Sequence, residues 1–217
     1  MRLFPQSYFV TGTDTNVGKT YISSALLRHF SDQGIKTIGM KPIASGCELD
    51  AQGEFMNQDV TTLIQASNLV APIDLVNPYR FIPAIAPHIA AEQIDVEISV
   101  DVIHSAYQQL KALTDVIIVE GAGGFLVPIN QNQTLADLAL ALEIPIIMVV
   151  GMRLGCINHA LLTIEAIRSR GLELAGWIAN QVDTDMAMFV ENLETLQQRI
   201  AAPCLSVVRW QGSVTFN

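Results

Sequence analysis

The stretch Tyr8-Phe9-Val10-Thr11-Gly12-Thr13-Asp14-Thr15-Asn16-Val17-Gly18-Lys19-Thr20-Tyr21 carries an apolar strand pattern into a glycine-bounded loop and then into a helix pattern rich in Ala and Leu. A junction of this kind holds an anion. Its glycines let backbone N–H groups turn toward the ligand, the starting helix adds the positive end of its dipole, and Lys19 adds a full charge. Thr20 offers a hydroxyl to Mg²⁺. The general phosphate-loop pattern is G-x-x-x-x-G-K-[ST]; here Gly12 and Gly18 stand one residue further apart, with Thr13 where the first glycine would be.

Outward from this loop, the 217 residues fit one α/β domain spanning 1–217, and nothing in them reads as an interdomain linker. Half the chain is hydrophobic and only 15% is charged, so much surface is expected to be buried in a covered sheet or a subunit interface. The greasiest region, 135–152, is interrupted by Asp137, Glu143 and Pro145. That favours a buried helix and strand over a membrane span. No secretory signal is visible, and a cytoplasmic protein is expected. Cys47, Cys156 and Cys204 are odd in number and lack metal-ligand spacing, so neither a disulfide framework nor a zinc site is supported. A formal charge of −9 argues against general nucleic-acid binding.

Strand-like runs occur at 8–10, 37–40, 116–119, 146–150, 174–179 and 204–208, with helical periodicity at 18–32, 58–66, 100–113, 135–142, 157–170 and 187–200. This alternation predicts a phosphate-loop-type α/β fold, a mostly parallel sheet with helices on both faces. The segment 71–97 holds Pro72, Pro78, Pro83 and Pro87 and is expected to be a shaped loop with little regular structure, beside the site. Ligands in such sheets bind beyond the carboxyl ends of the strands, and the chemistry-bearing residues fall there.

After the third of these strands, Glu120 is a carboxylate carried to the edge of the phosphate site and a candidate metal ligand. Gly121-Ala122-Gly123-Gly124 follow it, allowing close backbone approach to a ligand. Asp59, in Asn57-Gln58-Asp59, is a second candidate carboxylate, although an ordinary first-turn helical Asp would look the same. Lys41, followed by Pro42 and then Ser45, ends the second strand. Beside a triphosphate, this second cation would stabilise charge developing in phosphoryl transfer, and Ser45 would orient an oxygen-bearing substrate. The four histidines make no catalytic constellation.

Taken together, GTDTNVGKT, KPIASG, NQD, VNPYRF, PHIAA, VEGAGG, VVGMRLGCINHALLT and GWIAN resemble dethiobiotin synthetases in order and spacing, over roughly residues 7–182, and the wider loop spacing is that family's own. The resemblance implies an ATP-dependent cyclo-ligase of biotin synthesis acting as a homodimer on ATP, CO₂ and 7,8-diaminononanoate. A carbamate forms, ATP phosphorylates it to a mixed anhydride, and the second amine closes the ring. It further implies ATP contacts from Asn16, Val17, Gly18, Lys19, Thr20, Tyr21, Glu120, Gly121, Ala122, Gly123, Asn180 and Gln181, and Mg²⁺ held by Thr20, Asp59 and Glu120. Lys19 and Lys41 would be the catalytic cations. Thr15, Lys41 and Ser45 would face the diamine or its carbamate, while Gly155, Cys156, Ile157 and Asn158 would receive the substrate carboxylate from the neighbouring subunit.

The chain departs from the family's pattern on the base side. Gln181 stands where an acidic residue is common, and Arg209-Trp210-Gln211 replaces a Pro-aromatic stretch. Two other readings share the phosphate loop. A cobyrinate-type amidoligase normally carries a glutaminase domain for which this chain has no room. A partitioning-type switch ATPase would place its signature lysine at Asp14.

Overall fold

A sheet buried on both faces needs a covering helix after most strands, and the chain supplies one. In the computed structural model, which describes residues 3–49, 53 and 55–216, the first half runs β1 (Tyr8–Gly12), α1 (Lys19–Ser31), β2 (Thr37–Met40), β3 (Ile43–Ser45), β4 (Glu48–Leu49), β5 (Phe55–Met56), α2 (Gln58–Ala66), α3 (Ile73–Val76), β6 (Tyr79–Phe81) and α4 (Pro87–Glu92). The second half runs α5 (Val100–Lys111), β7 (Val116–Gly124), α6 (Leu135–Leu142), β8 (Ile146–Met152), α7 (Cys156–Ser169), β9 (Leu174–Gln181), α8 (Phe189–Arg199) and β10 (Cys204–Val208). Six strands form one sheet in the order β10-β9-β8-β1-β7-β2, every pairing parallel.

Alternation explains the layers. In β1, Phe9 packs into one core cluster while Tyr8 and Val10 pack into another; in β7, Ile117 and Val119 join Phe9 while Val116 and Ile118 join Val10. All seven are essentially inaccessible. Helices α1 and α2 cover the Val10 face, and α5 and α6 cover the Phe9 face. Further along the Phe9 face, beyond β1, α7 and α8 pack over Met148, Val150 and Trp177.

The strand order reverses at β1, which lies between β7 and β8 and has its loop at the carboxyl edge. One close approach positions the site there. A Cβ on Gly39 of β2 would meet Leu63 Cβ at 2.8 Å and Leu27 Cδ1 at 2.9 Å, so this strand lets α1 and α2 lie directly on it. That brings the first turn of α2, with Asp59, beside the end of β2, with Lys41.

All six expected strands are present, and four of them extend past their expected ends into the site: β1 to Gly12, β7 to Gly124, β8 to Met152 and β9 to Gln181. The glycines after Glu120 are therefore strand, not turn. Segment 71–97 is more regular than its prolines suggest. It holds α3, β6 and α4, with Pro72 capping α3 and Pro87 in the first turn of α4, where a missing N–H costs nothing. β6 pairs in parallel with β3, so the residues after Lys41 are also strand.

Candidate active site

The phosphate loop is held open by its own backbone. Gly18 adopts the left-handed conformation at φ 89° and starts α1 with no side-chain cap and no acid in the first turn. The first N–H groups of α1 are thus left for an anion. Thr13 N–H donates to Val149 O at 3.0 Å and Gly151 N–H donates to Thr13 Oγ1 at 3.3 Å, fastening the loop to β8. The Asp14 carboxylate pairs with Arg153 from the end of β8.

Lys19 is buried, and its Nζ donates to Asp14 O at 3.0 Å. Burial first, and the neighbouring Lys41 second, pull its ammonium down to about 8, against the opposing carboxylates. Lys41 is equally buried but differently placed. Its Nζ lies 2.5 Å from Glu120 Oε1 and 2.9 Å from Asp59 Oδ2. Burial works against that charge, but Glu120 and Asp59 outweigh it and hold the ammonium above its ordinary value. Asp59 is the mirror case: burial favours its neutral form, and Lys41 beside it wins, keeping it below the usual carboxylate range.

The Thr20 hydroxyl donates to Glu120 Oε1 at 2.8 Å, and Asp59 lines the same cavity as these two. Thr20, Asp59 and Glu120, from three different elements, therefore meet. Glu120 Oε2 is buried without a partner. Among the described residues no cluster of three His, Cys, Asp or Glu side chains forms, so a cation here would find two carboxylates and a hydroxyl, with its other positions open. All-oxygen ligation with room for phosphate and water suits Mg²⁺.

These groups line one cavity of about 900 Å³. Thr15, Asn16, Gly18, Lys19, Thr20, Lys41, Ser45, Asp59, Glu120, Ala122 and Gly123 all face it, and Ser45 Oγ is buried with no partner of its own. Four alanine, isoleucine and proline residues at 84–87, with Ile43 and Val127, give it an apolar wall.

Other expected site residues lie elsewhere. Val17 is a core side chain, and Gly121 packs on Phe9. The Tyr21 hydroxyl donates to Gly212 O at 2.8 Å. Asn180, expected to read a base, is buried and donates from Nδ2 to Val17 O at 2.8 Å, bracing the phosphate loop. Gln181 donates to Asp183 O at 3.1 Å and accepts from Trp210 N–H at 3.4 Å. Gly155, Ile157 and Asn158 line a separate hollow of about 530 Å³ with Asn192, Thr195 and Arg199, and Cys156 is buried beneath. Within one chain these four residues do not join the main cavity.

Three positioning side chains escaped the sequence reading. Asn77, fully buried, donates to Lys41 O at 2.6 Å and Tyr79 O at 3.1 Å. Asn57 caps α2 through the Asp59 N–H and donates to Ser45 O at 3.0 Å. Arg153 anchors Asp14. Asn before proline at Asn77 and a cation at a strand end at Arg153 were the available signals.

Comparison with known proteins follows the same lines. The family described as "AAA domain" matches residues 6–217. A Nitrosospira multiformis protein named ATP-dependent dethiobiotin synthetase BioD is 49% identical over 203 residues, covering 94% of this chain and 88% of that protein. One of the same name from Aromatoleum aromaticum is 51% identical over 204 residues, covering 94% and 90%. Among solved structures, a ParA family ATPase from Chlorobium tepidum superposes with TM-score 0.56 at 16% identity, covering 95% of this chain and 86% of that one. The signal recognition particle receptor FtsY from Elizabethkingia anophelis gives TM-score 0.55 at 14% identity, covering 99% of this chain and 62% of the receptor. At such identities the structural likeness is one of fold.

Proposed function

This chain belongs to the ATP-dependent dethiobiotin synthetase family, and on that premise we propose how its cavity carries the reaction. The protein is an ATP-dependent cyclo-ligase forming dethiobiotin in biotin biosynthesis. Its substrates are read as ATP, CO₂ and 7,8-diaminononanoate. The observation that carries this reading is the meeting of two buried lysines, two carboxylates and a threonine hydroxyl in a cavity that also has an apolar wall. The charged groups suit phosphoryl transfer, and the wall suits an aliphatic chain.

One amine of the diamine takes up CO₂ as a carbamate, with Thr15 and Ser45 orienting its oxygens. The carbamate oxygen attacks the γ-phosphorus and ADP leaves. Lys19 and Lys41 offset the negative charge that spreads over the transferring group. The second amine then attacks the carbamoyl carbon, phosphate departs, and the amine loses its proton as the ring closes. Mg²⁺, held by Thr20, Asp59 and Glu120, would neutralise phosphate charge. No covalent enzyme intermediate is required, so the protein supplies positioning and electrostatics.

Incubation with Mg-ATP, bicarbonate and 7,8-diaminononanoate is expected to yield dethiobiotin by mass spectrometry, with one ADP per ring closed. ADP release without the ureido product would overturn the reading. The active form is proposed to be a homodimer in which the hollow at Gly155, Ile157 and Asn158 completes the neighbour's site. Exposed Leu154 and half-buried Leu161 line it as well. Light scattering at assay concentration tests this, and a fully active monomer would refute it.

A further inference from the structure

The oxygens assigned above to a divalent cation already have a cation among them. Lys41 Nζ sits 2.5 Å from Glu120 Oε1 and 2.9 Å from Asp59 Oδ2, and that same Glu120 oxygen accepts the Thr20 hydroxyl. An ammonium thus holds both prospective carboxylate ligands, and the third, Thr20, is tied to one of them. A hard cation ligated by these side chains would lie beside that ammonium, whether it takes the oxygens Lys41 holds or the unpartnered Glu120 Oε2, and like charges so close in a buried site repel strongly.

We propose that Lys41 and the divalent cation compete for Asp59 and Glu120, so that binding of the metal drives the lysine off the carboxylates and into the cavity where the transferring group lies. The proposal rests on the metal-ligand reading of Thr20, Asp59 and Glu120. It makes Lys41 a two-position side chain whose charge reaches the substrate only after the cation is seated.

The local structure confines the movement to the side chain. Lys41 N–H donates to Val76 O at 2.9 Å, its carbonyl accepts from buried Asn77 at 2.6 Å, and Pro42 fixes the next φ. The backbone cannot follow the ammonium. The four-carbon stem can, because Lys41 lines a cavity of about 900 Å³. Lys19 offers the internal contrast: it lines the same cavity with the same charge, but its Nζ is held by a backbone carbonyl, Asp14 O, and contests no carboxylate.

The test is a titration with Mn²⁺ followed by electron paramagnetic resonance, without nucleotide, on the wild type, Lys41→Met and Lys19→Met. Removing a competitor raises apparent affinity by the inverse of the fraction of time the site was free, so with Lys41 seated about nine-tenths of the time or more, Lys41→Met is expected to bind Mn²⁺ about tenfold tighter or more, well beyond Lys19→Met. Equal tightening in both variants would mean that overall charge, not contested oxygens, sets the affinity, and would overturn the proposal. So would unchanged or weaker binding in folded Lys41→Met. The wild type gives an independent readout: the Lys41 ¹³Cε resonance, assigned through its loss in Lys41→Arg, should shift on saturation with Mg²⁺, and an unmoved resonance refutes the exchange. Failure of the underlying reading is separable. Mn²⁺ binding that survives both Glu120→Gln and Asp59→Asn in the Lys41→Met background would show that these carboxylates are not the ligands at all.

Discussion

The two flanks of β1 end at the same edge of the sheet and are furnished differently. Toward β7 and β2 stand Glu120, Lys41 and, from the adjoining helix, Asp59: buried or half-buried charges that satisfy one another. Toward β8, β9 and β10 stand the amides of Asn180 and Gln181 and the Asp14–Arg153 pair, and Arg153 and Trp210 line a hollow of about 440 Å³ there. Asn16 of the phosphate loop lines both cavities. On the first flank the polar groups are bonded to partners that an incoming phosphate or cation can replace. On the second the amides are spent on the protein's own backbone, and Asp14 and Arg153 on each other. On the function proposed above, chemistry belongs to the first, and support of the loop and docking of the C-terminal segment belong to the second.

The largest effects should follow from removing charge on the chemical flank. Lys19→Ala and Lys41→Ala are each expected to lower kcat by about a hundredfold or more, the usual scale for loss of a fixed group that stabilises developing charge. Neither lysine packs in an apolar core cluster, so both variants should keep the wild-type circular dichroism. A folded variant with near-normal kcat at saturating ATP would remove that lysine from the mechanism.

Gly18→Ala tests whether the two flanks are joined. The residue sits at φ 89°, and an added Cβ would meet Asn180 Nδ2 at 2.2 Å, so the substitution strains the loop and dislodges its brace together. A left-handed non-glycine residue alone costs about 1–2 kcal/mol. Thermal unfolding should register this loss, and ATP affinity measured by calorimetry should fall by about tenfold. Unchanged affinity would mean that Asn180 does not shape the phosphate site.

A smaller effect is expected from pH. In the free protein the Lys19 ammonium is pulled down to about 8 from 10.5, chiefly by burial. Triphosphate favours its charged form, so above pH 8 binding must take up a proton. ATP affinity should therefore fall as pH rises through 8 toward 10.5, by at most about tenfold per unit. Calorimetry in buffers of different ionisation enthalpy reads the proton directly. Affinity flat across this window would show that Lys19 is charged throughout.

What could be read from sequence follows the same division. The strands were legible because both faces of the sheet are apolar, and the phosphate end because glycine, lysine and carboxylate at strand ends have few other uses. Asn77, Asn57 and Arg153 were not, since each makes a bond to a residue distant in the chain, Arg153 reaching back 139 positions to Asp14. Proline was misread at 71–97 because at the start of a helix it breaks nothing. On the base side, an amide looks like a reader of bases whether it faces a ligand or a carbonyl of its own chain.

That last ambiguity sets the smallest prediction, on the choice of base. Rejecting a wrong base strongly requires buried donors and acceptors that it would leave unpaired. Asn180 Nδ2 is engaged with Val17 O, both ends of the Gln181 amide are engaged with Asp183 O and Trp210 N–H, and the Arg209 guanidinium lies 3.8 Å from the centroid of the Phe189 ring. Little hydrogen-bonding capacity is left for discrimination. The preference for ATP over GTP and CTP in kcat/KM should accordingly stay below about a thousandfold. Gln181→Ala should change that ratio by less than about threefold, because it removes a contact within the protein. Asn180→Ala should lower kcat/KM for all three nucleotides alike, by loosening the loop that holds their common phosphates. A selective loss for ATP in either variant would show that the amide turns to the base once nucleotide is bound, and the second flank would then be a recognition surface in its own right.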